Sequence, residues 1–442
     1  MKTANRLERR KVLTTLGGLS LSACAAAGTG PSAAAPLASG VPMPKQPTPA
    51  GPPLTPLRAL LSPYVARGTV PGLVALVARG DAVQLEVMGV KTVGQSEPIE
   101  RDSIFRVASL TKPITAAATM LLVEDGKLRL DEPVDRLLPE LAQRKVLERL
   151  ESPLSRVVPA RRPLTVLDLL TFRMGFGIVM AAPGTYPIQK AADDLALGQG
   201  MPAPQTPPAP DEWLRRFGRL PLMYQPGERW QYNTGADVLG VLIARASGKP
   251  FDVFLRERLF EPLAMHDTDF SVPASKRSRF TTSYLANPSG DSMTLYDAPD
   301  GQWSHPPAFP SGAAGLVSTV QDFLQFSRFL LGKGTLSGKR LLRPESVLSM
   351  TTDQLTPEVK ARGALTPQFF ERHGWGYCIS VVTQTDEMGR AAGSFGWGGG
   401  LGTSWYADPK RNLTGVLFTN RSWSEPSEPP IFRDFWREVS AA

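Results

Sequence analysis

Ser109 and Lys112 stand three residues apart in Phe105-Arg106-Val107-Ala108-Ser109-Leu110-Thr111-Lys112-Pro113-Ile114-Thr115. On a helix that spacing puts both side chains on one face, one turn apart. A hydroxyl beside an amine can do nucleophilic chemistry once something lowers the amine's pKa. Unperturbed, a lysine titrates at about 10.4 and is no base near neutrality. The residues that follow, Ile114 to Val123, are apolar almost all round, with Ala116, Ala117 and Ala118 in succession. A helix apolar on every side is buried, and burial disfavours the charged lysine. Further along, Tyr232 offers a phenol, and Gly398, Gly399 and Gly400 form a run that lets a substrate approach the backbone closely.

Each of these has a plainer reading. A bare Ser-x-x-Lys occurs by chance about once in a chain of this length, and a serine before an apolar run is an ordinary N-cap. Tyr232, taken alone, reads rather as a half-buried aromatic with its hydroxyl bonded to backbone. Trp397 reads as a core aromatic near a turn or as a pocket wall, and the glycines as a turn or bulge. Cys378, in an alternating apolar stretch, reads as a buried core thiol.

The elements that must position these groups follow from periodicity. Leu54 to Arg67 has helical spacing and stops at Gly68. Leu73 to Ala78, the turn Gly80-Asp81 and Ala82 to Met88 form a hairpin, so an antiparallel sheet begins here. Ile104 to Val107 returns toward that sheet and delivers Ser109 near the positive end of a helix dipole. Gly126 is a plausible C-cap for the buried helix, and Thr165 caps the next. Residues 181–210 read as an irregular insertion because of the prolines from Pro202 to Pro210. Asp211 caps a short helix after it. So long a loop in a compact domain is expected to wall or roof a site. Asp237 to Ala244 and Phe251 to Phe260 are helices, and Gly312 to Val317 is a glycine-rich loop before a helix, Val320 to Leu331. Short strands then run from Trp375 to Val382, Ser404 to Ala407 and Leu413 to Thr419, and Phe432 to Val439 is an amphipathic helix packed on the sheet.

The chain has 442 residues, 42% hydrophobic and 20% charged, which fits an ordinary globular protein. Its first residues read as an address rather than as fold. Arg9-Arg10 precede a short apolar stretch, Leu13 to Ala27, as in a twin-arginine export signal. Leu21-Ser22-Ala23-Cys24 looks like a lipoprotein signal in which Cys24 is lipidated; simple cleavage among the following alanines is the competing reading. Residues 1–24 are thus an export signal and 25–56 a disordered Pro/Ala-rich tether. The expected location is the periplasm or cell envelope, with membrane anchoring through Cys24 as one option. Net charge is +8, of which the five basic residues and Glu8 of the leader supply four. No basic run interleaves with aromatics, so nucleic acid is not an expected partner. With only Cys24 and Cys378 present, no disulfide framework is expected.

Taken together, the motifs resemble the serine β-lactamase and penicillin-binding-protein superfamily, in particular its class C branch and the related family VIII carboxylesterases. The resemblance covers about residues 54 to 440. It rests on Ser109-Leu110-Thr111-Lys112, on Tyr232-Asn233-Thr234 and on Trp397-Gly398-Gly399, in the family's order and at about its spacing. Leu130-Asp131-Glu132-Pro133-Val134, Pro226-Gly227-Glu228 and Gly312-Ala313-Ala314-Gly315-Leu316-Val317-Ser318 match as well. The resemblance implies an α+β fold: an antiparallel sheet flanked by helices, with a mostly helical second lobe. The hydrolase domain is then 57–440, its sheet lobe 57–108 and about 315–440, its helical lobe about 109–314. It also implies an acyl-enzyme mechanism with Ser109 as nucleophile, Lys112 and Tyr232 as a proton-sharing pair, and the backbone amides of Ser109 and Gly400 as oxyanion hole. Trp397, Gly398, Gly399 and Asn233 line the substrate, and neither cofactor nor metal is implied.

Two departures from the family pattern matter. The asparagine comes one place early, at Asn233, and Thr234 holds the family's Asn position. Trp397 replaces a cationic or histidine position, leaving a β-lactam carboxylate without a charge-assisted partner. The expected substrates are therefore small neutral esters. A class C-like β-lactamase or D-amino-acid peptidase is the near alternative, and a non-catalytic envelope-binding lipoprotein the distant one. A Ser-His-Asp hydrolase is disfavoured. No Gly-x-Ser-x-Gly occurs, and His266, His305 and His373 carry neither a supporting motif nor zinc spacing.

Overall fold

A computed structural model describes residues 56–442, apart from 288, 290–291, 364–367 and 425–427. The export signal, Cys24 and residues 25–55 of the tether lie outside the described residues. Helix α1 (Leu57–Ala66) leads into the hairpin of β1 (Gly72–Arg79) and β2 (Ala82–Gly89). Strand β3 (Phe105–Arg106), a single 3₁₀ turn (Ala108–Leu110) and helix α2 (Thr111–Glu124) follow. Helix α3 is Thr234–Ser247, strand β4 Val317–Ser318 and helix α4 Val320–Leu331. The C-terminal part supplies β5 (His373–Trp375), β6 (Ser380–Val382), β7 (Phe395–Gly399), β8 (Thr403–Asp408), β9 (Leu413–Thr419) and helix α5 (Pro430–Ala441).

Seven strands form one antiparallel sheet in the order β5-β6-β7-β8-β9-β1-β2. Strand β1 is apolar and buried from Gly72 to Ala78, because both faces of the sheet are covered. Leu73, Ala75 and Val77 pack with α1 and with Phe432, Phe435 and Trp436 of α5. Val74, Leu76 and Ala78 face the opposite way, into the core that holds Phe323 and Phe326 of α4. Period-two alternation thus assigns one strand to two cores.

Several expectations need correction. Phe105–Arg106 does not join the large sheet; it pairs with β4, Phe105 opposite Ser318. The reason is the Arg106 guanidinium. It is buried over the Phe280 ring, 3.9 Å from its centroid, and donates through Nε to Asp297 at 2.9 Å. A buried cation must stay with its carboxylate, which draws β3 away from the sheet. The 181–210 insertion is not wholly irregular: Pro187–Asp194 is a helix with proline in its first turn. The helix after it runs from Pro210 to Arg219, so Asp211 sits in the first turn, facing the dipole, instead of capping. Cys378 is buried as expected, but in the turn between β5 and β6, at φ +54°, and not within a strand.

Candidate active site

Helix α2 is buried from Thr111 to Leu122. Ser109 precedes it in the 3₁₀ turn, where residues i and i+3 eclipse. The turn is entered through Ala108 at φ +44°, a strained conformation costing a non-glycine residue about 1–2 kcal/mol. Lys112 Nζ lies 2.9 Å from Ser109 Oγ and donates to the Ala313 carbonyl at 2.8 Å. That carbonyl belongs to the glycine-rich loop before β4, which threads between α2 and α3. A Cβ on Gly312 would come within 2.3 Å of the Ala236 carbonyl, so only glycine lets the loop pass.

Tyr232 arrives from the other side, on the loop entering α3. Its carbonyl accepts from Ile178 N–H at 2.9 Å, and the next residue, Asn233, is held at φ +88°, ψ −67°. The ring is boxed by Phe172, Trp230, Trp375 and Trp397, with centroids 5.6–6.3 Å away. Lys112 Nζ sits over the ring face, 4.4 Å from its centroid. Lysine and tyrosine both reach Ser109, Lys112 through Nζ and Tyr232 through its hydroxyl.

The hydrogen-bond order has a direction. Trp397 Nε1 donates to Tyr232 Oη at 2.8 Å. An indole N–H can only donate, so the phenol oxygen is the acceptor there and its own hydrogen is left for Ser109. The serine hydrogen then faces Lys112 whenever the amine is neutral. Burial pushes Lys112 down to about 7, against the opposing pull of Asp237 and Cys378. Burial pushes the Tyr232 phenol above its ordinary range, outweighing its hydrogen bonds with Ser109 and Trp397. Near neutral pH the arrangement is a phenol, a hydroxyl and an amine able to take a proton.

The third motif lies on β7. Trp397 is nearly buried, Gly398 lies under the Trp423 ring, and Gly399 is pressed against the Val107 carbonyl, 2.3 Å from where a Cβ would stand. Thr403 Oγ1 also donates to that carbonyl at 3.1 Å. These contacts clamp the β7–β8 turn to the chain just ahead of Ser109. Gly400 stands in the turn, one residue past the strand, and lines the same cleft as Ser109. Among the described residues no carbonyl accepts from its amide. Asn233 faces the cleft without a side-chain partner among the described residues, whereas Thr234 is turned away and donates to Gln199 Oε1 at 3.1 Å.

The cleft has a volume of about 730 Å³. Ile178, Met180, Leu197, Met201, Pro204 and Phe309 form an apolar chamber in its lining, and Tyr406, Trp423 and Arg390 line it as well. The 197–207 strap lines the same cleft as Ser109, so the insertion walls the site. Tyr296 Oη bonds to the Pro202 carbonyl at 2.5 Å, and Gln205 Nε2 to the carbonyls of Gln302 and His305 at 2.9 and 3.1 Å.

A match to the Beta-lactamase family model spans residues 57–433. The chain belongs to that family. Protein Rv1367c of Mycobacterium tuberculosis is 38% identical over 78% of this chain and 84% of its own. Esterase EstB of Burkholderia gladioli is 31% identical over 81% of this chain and 88% of its own. Among solved structures, EstCE1, a hydrolase with promiscuous acyltransferase activity, superposes with a TM-score of 0.71 at 22% identity, covering 87% of this chain and 97% of that one. This β-lactamase-family chain is accordingly a serine hydrolase of mixed α+β architecture, its antiparallel sheet flanked by helices.

One charged group at the site escaped the motif reading. Asp237, five residues after Tyr232 on the apolar helix α3, is buried and lines the cleft. Its only signal in sequence is an acidic residue amid Ala236, Val238 and Leu239.

Proposed function

We propose that the protein is a carboxylesterase acting on neutral esters through an acyl-enzyme on Ser109. The observation that carries this reading is the Trp397 indole bonded to Tyr232, at the position where β-lactamases present a cation. The group that would hold a β-lactam carboxylate is thereby replaced by one that orients the phenol. The apolar chamber lined by the strap, suited to an acyl group, and the esterase among the relatives support the same reading.

In this reading Ser109 Oγ attacks the ester carbonyl carbon as its proton passes to neutral Lys112. The Ser109 and Gly400 amides take the oxyanion. Collapse of the tetrahedral adduct breaks the ester C–O bond, and the departing alkoxide takes a proton from the Lys112–Tyr232 side. Water then repeats the attack on the acyl-serine. The size of the cleft favours a second reading as well: an alcohol held beside Trp423 takes the acyl group in place of water. Turnover of p-nitrophenyl butyrate should far exceed that of nitrocefin; a preference for nitrocefin would return the protein to β-lactamase chemistry. Addition of an alcohol that yields a new ester would establish transfer.

Export belongs to the same proposal, supported by Arg9-Arg10 and by Leu21-Ser22-Ala23-Cys24. Cys24→Ala should move the protein from the membrane fraction to the soluble fraction if Cys24 carries lipid.

A further inference from the structure

We propose that Asp237 is a positioning residue for Lys112: its carboxylate, held by the Ser311–Ala313 loop, sets the pH at which Lys112 becomes a base. The inference rests on the reading of Ser109 and Lys112 as nucleophile and base.

The geometry is specific. Asp237 Oδ1 accepts the Ser311 hydroxyl at 2.6 Å and the Ala313 amide at 3.2 Å. The carbonyl of that same Ala313 accepts from Lys112 Nζ at 2.8 Å. One residue of the loop thus joins the carboxylate on α3 to the amine on α2. The loop has little freedom to shift. Thr115 Oγ1 donates to the Gly312 carbonyl at 2.8 Å, and Leu316 N–H donates to Thr111 Oγ1 at 3.1 Å. Lys112 is wholly buried and Asp237 only 4% exposed, so their charges interact with little screening from solvent.

The other titratable groups facing Lys112 do not do this work. Cys378, from the β5–β6 turn, is pushed by burial toward its neutral thiol. Tyr232, over whose ring Nζ lies, is pushed toward its neutral phenol. Asp237 is, among the described residues, the one carboxyl whose charge acts on Lys112, and it opposes the effect of burial. Burial raises its own carboxyl to about 6, against its bonds to Ser311 and Ala313 and the charge of Lys112. The consequence has a definite sign. Burial drives Lys112 toward neutrality and Asp237 opposes it, so removing the charge makes Lys112 lose its proton at lower pH.

The test reads the rate of Ser109 labelling by a fluorophosphonate against pH, in the native chain and in Asp237→Asn. Asn keeps a side-chain oxygen for both bonds and removes only the charge. Labelling in the native chain should rise with pH through about 7, the value to which burial brings Lys112. In Asp237→Asn the midpoint should fall by about one pH unit or more, the usual size of one close opposite charge. Asp237→Ser, smaller and equally neutral, should shift it in the same direction and serves if the Asn variant does not fold; Asp237→Glu should restore the native midpoint. A neutral variant that is labelled more slowly at an unchanged midpoint, or at a raised one, overturns the inference. Absence of labelling in the native chain would instead strike at the reading of Ser109 itself.

Discussion

The floor and the roof of the cleft are built in opposite ways. The floor is regular and tightly packed: Ser109 and Lys112 at the head of buried α2, Asp237 on α3, and a loop locked between them by backbone and threonine bonds. The roof is the Pro-rich strap, tied down through a tyrosine, a glutamine and the Gln199–Thr234 bond. Reaction chemistry needs groups fixed to within a fraction of an ångström, which packed helices provide. Substrate selection needs only a wall of suitable shape, and an irregular segment tied at a few points supplies it.

If that division holds, changes to the floor should abolish or retune the reaction, and changes to the roof should alter only which ester fits. Ser109→Ala should have the largest effect, a loss of ester turnover of about 10⁶-fold, the scale seen when a nucleophile is removed. Lys112→Ala should follow, at about 10²–10⁴-fold in kcat, as for loss of a general base. Trp397→Phe keeps a ring but withdraws the donor that orients the Tyr232 phenol. Loss of one such bond, worth about 1.5 kcal/mol, should lower kcat about tenfold with KM little changed.

The pH profile probes the floor without mutation. A base must be unprotonated, and burial brings Lys112 to about 7. For an ester that does not itself ionise, kcat/KM should climb as pH rises through that value and then level off. Burial holds Tyr232 above its ordinary range, so no fall should set in through pH 9. A profile flat from pH 5 to 9 would remove Lys112 from the role of base. The smallest effect belongs to the roof. Gln205→Ala unties the strap from Gln302 and His305; it should change KM for long-chain esters severalfold and leave acetate esters untouched. An equal effect on both chain lengths would dissolve the contrast between floor and roof.

Local order along the chain was enough to assign a good deal of this. The continuous apolar run Leu73–Ala78, the apolar helix after Lys112 and the cap at Thr165 are short-range signals, and each element stands where its pattern indicated. The Ser-x-x-Lys spacing likewise carries its own geometry, since three residues make one turn. Other features depend on groups far apart in the chain. The departure of β3 from the large sheet follows from Asp297, 191 residues beyond Arg106. The bond from Trp397 to Tyr232 spans 165 residues, and the Asp237–Ala313 bond spans 76. Nothing in the neighbourhood of Asp237 distinguishes a stray acid on an apolar helix from a charge set beside a buried lysine. Burial is a property of the assembled interior, and so is every shifted proton affinity in the site; pattern names the reactive groups, and packing determines which of them hold their protons.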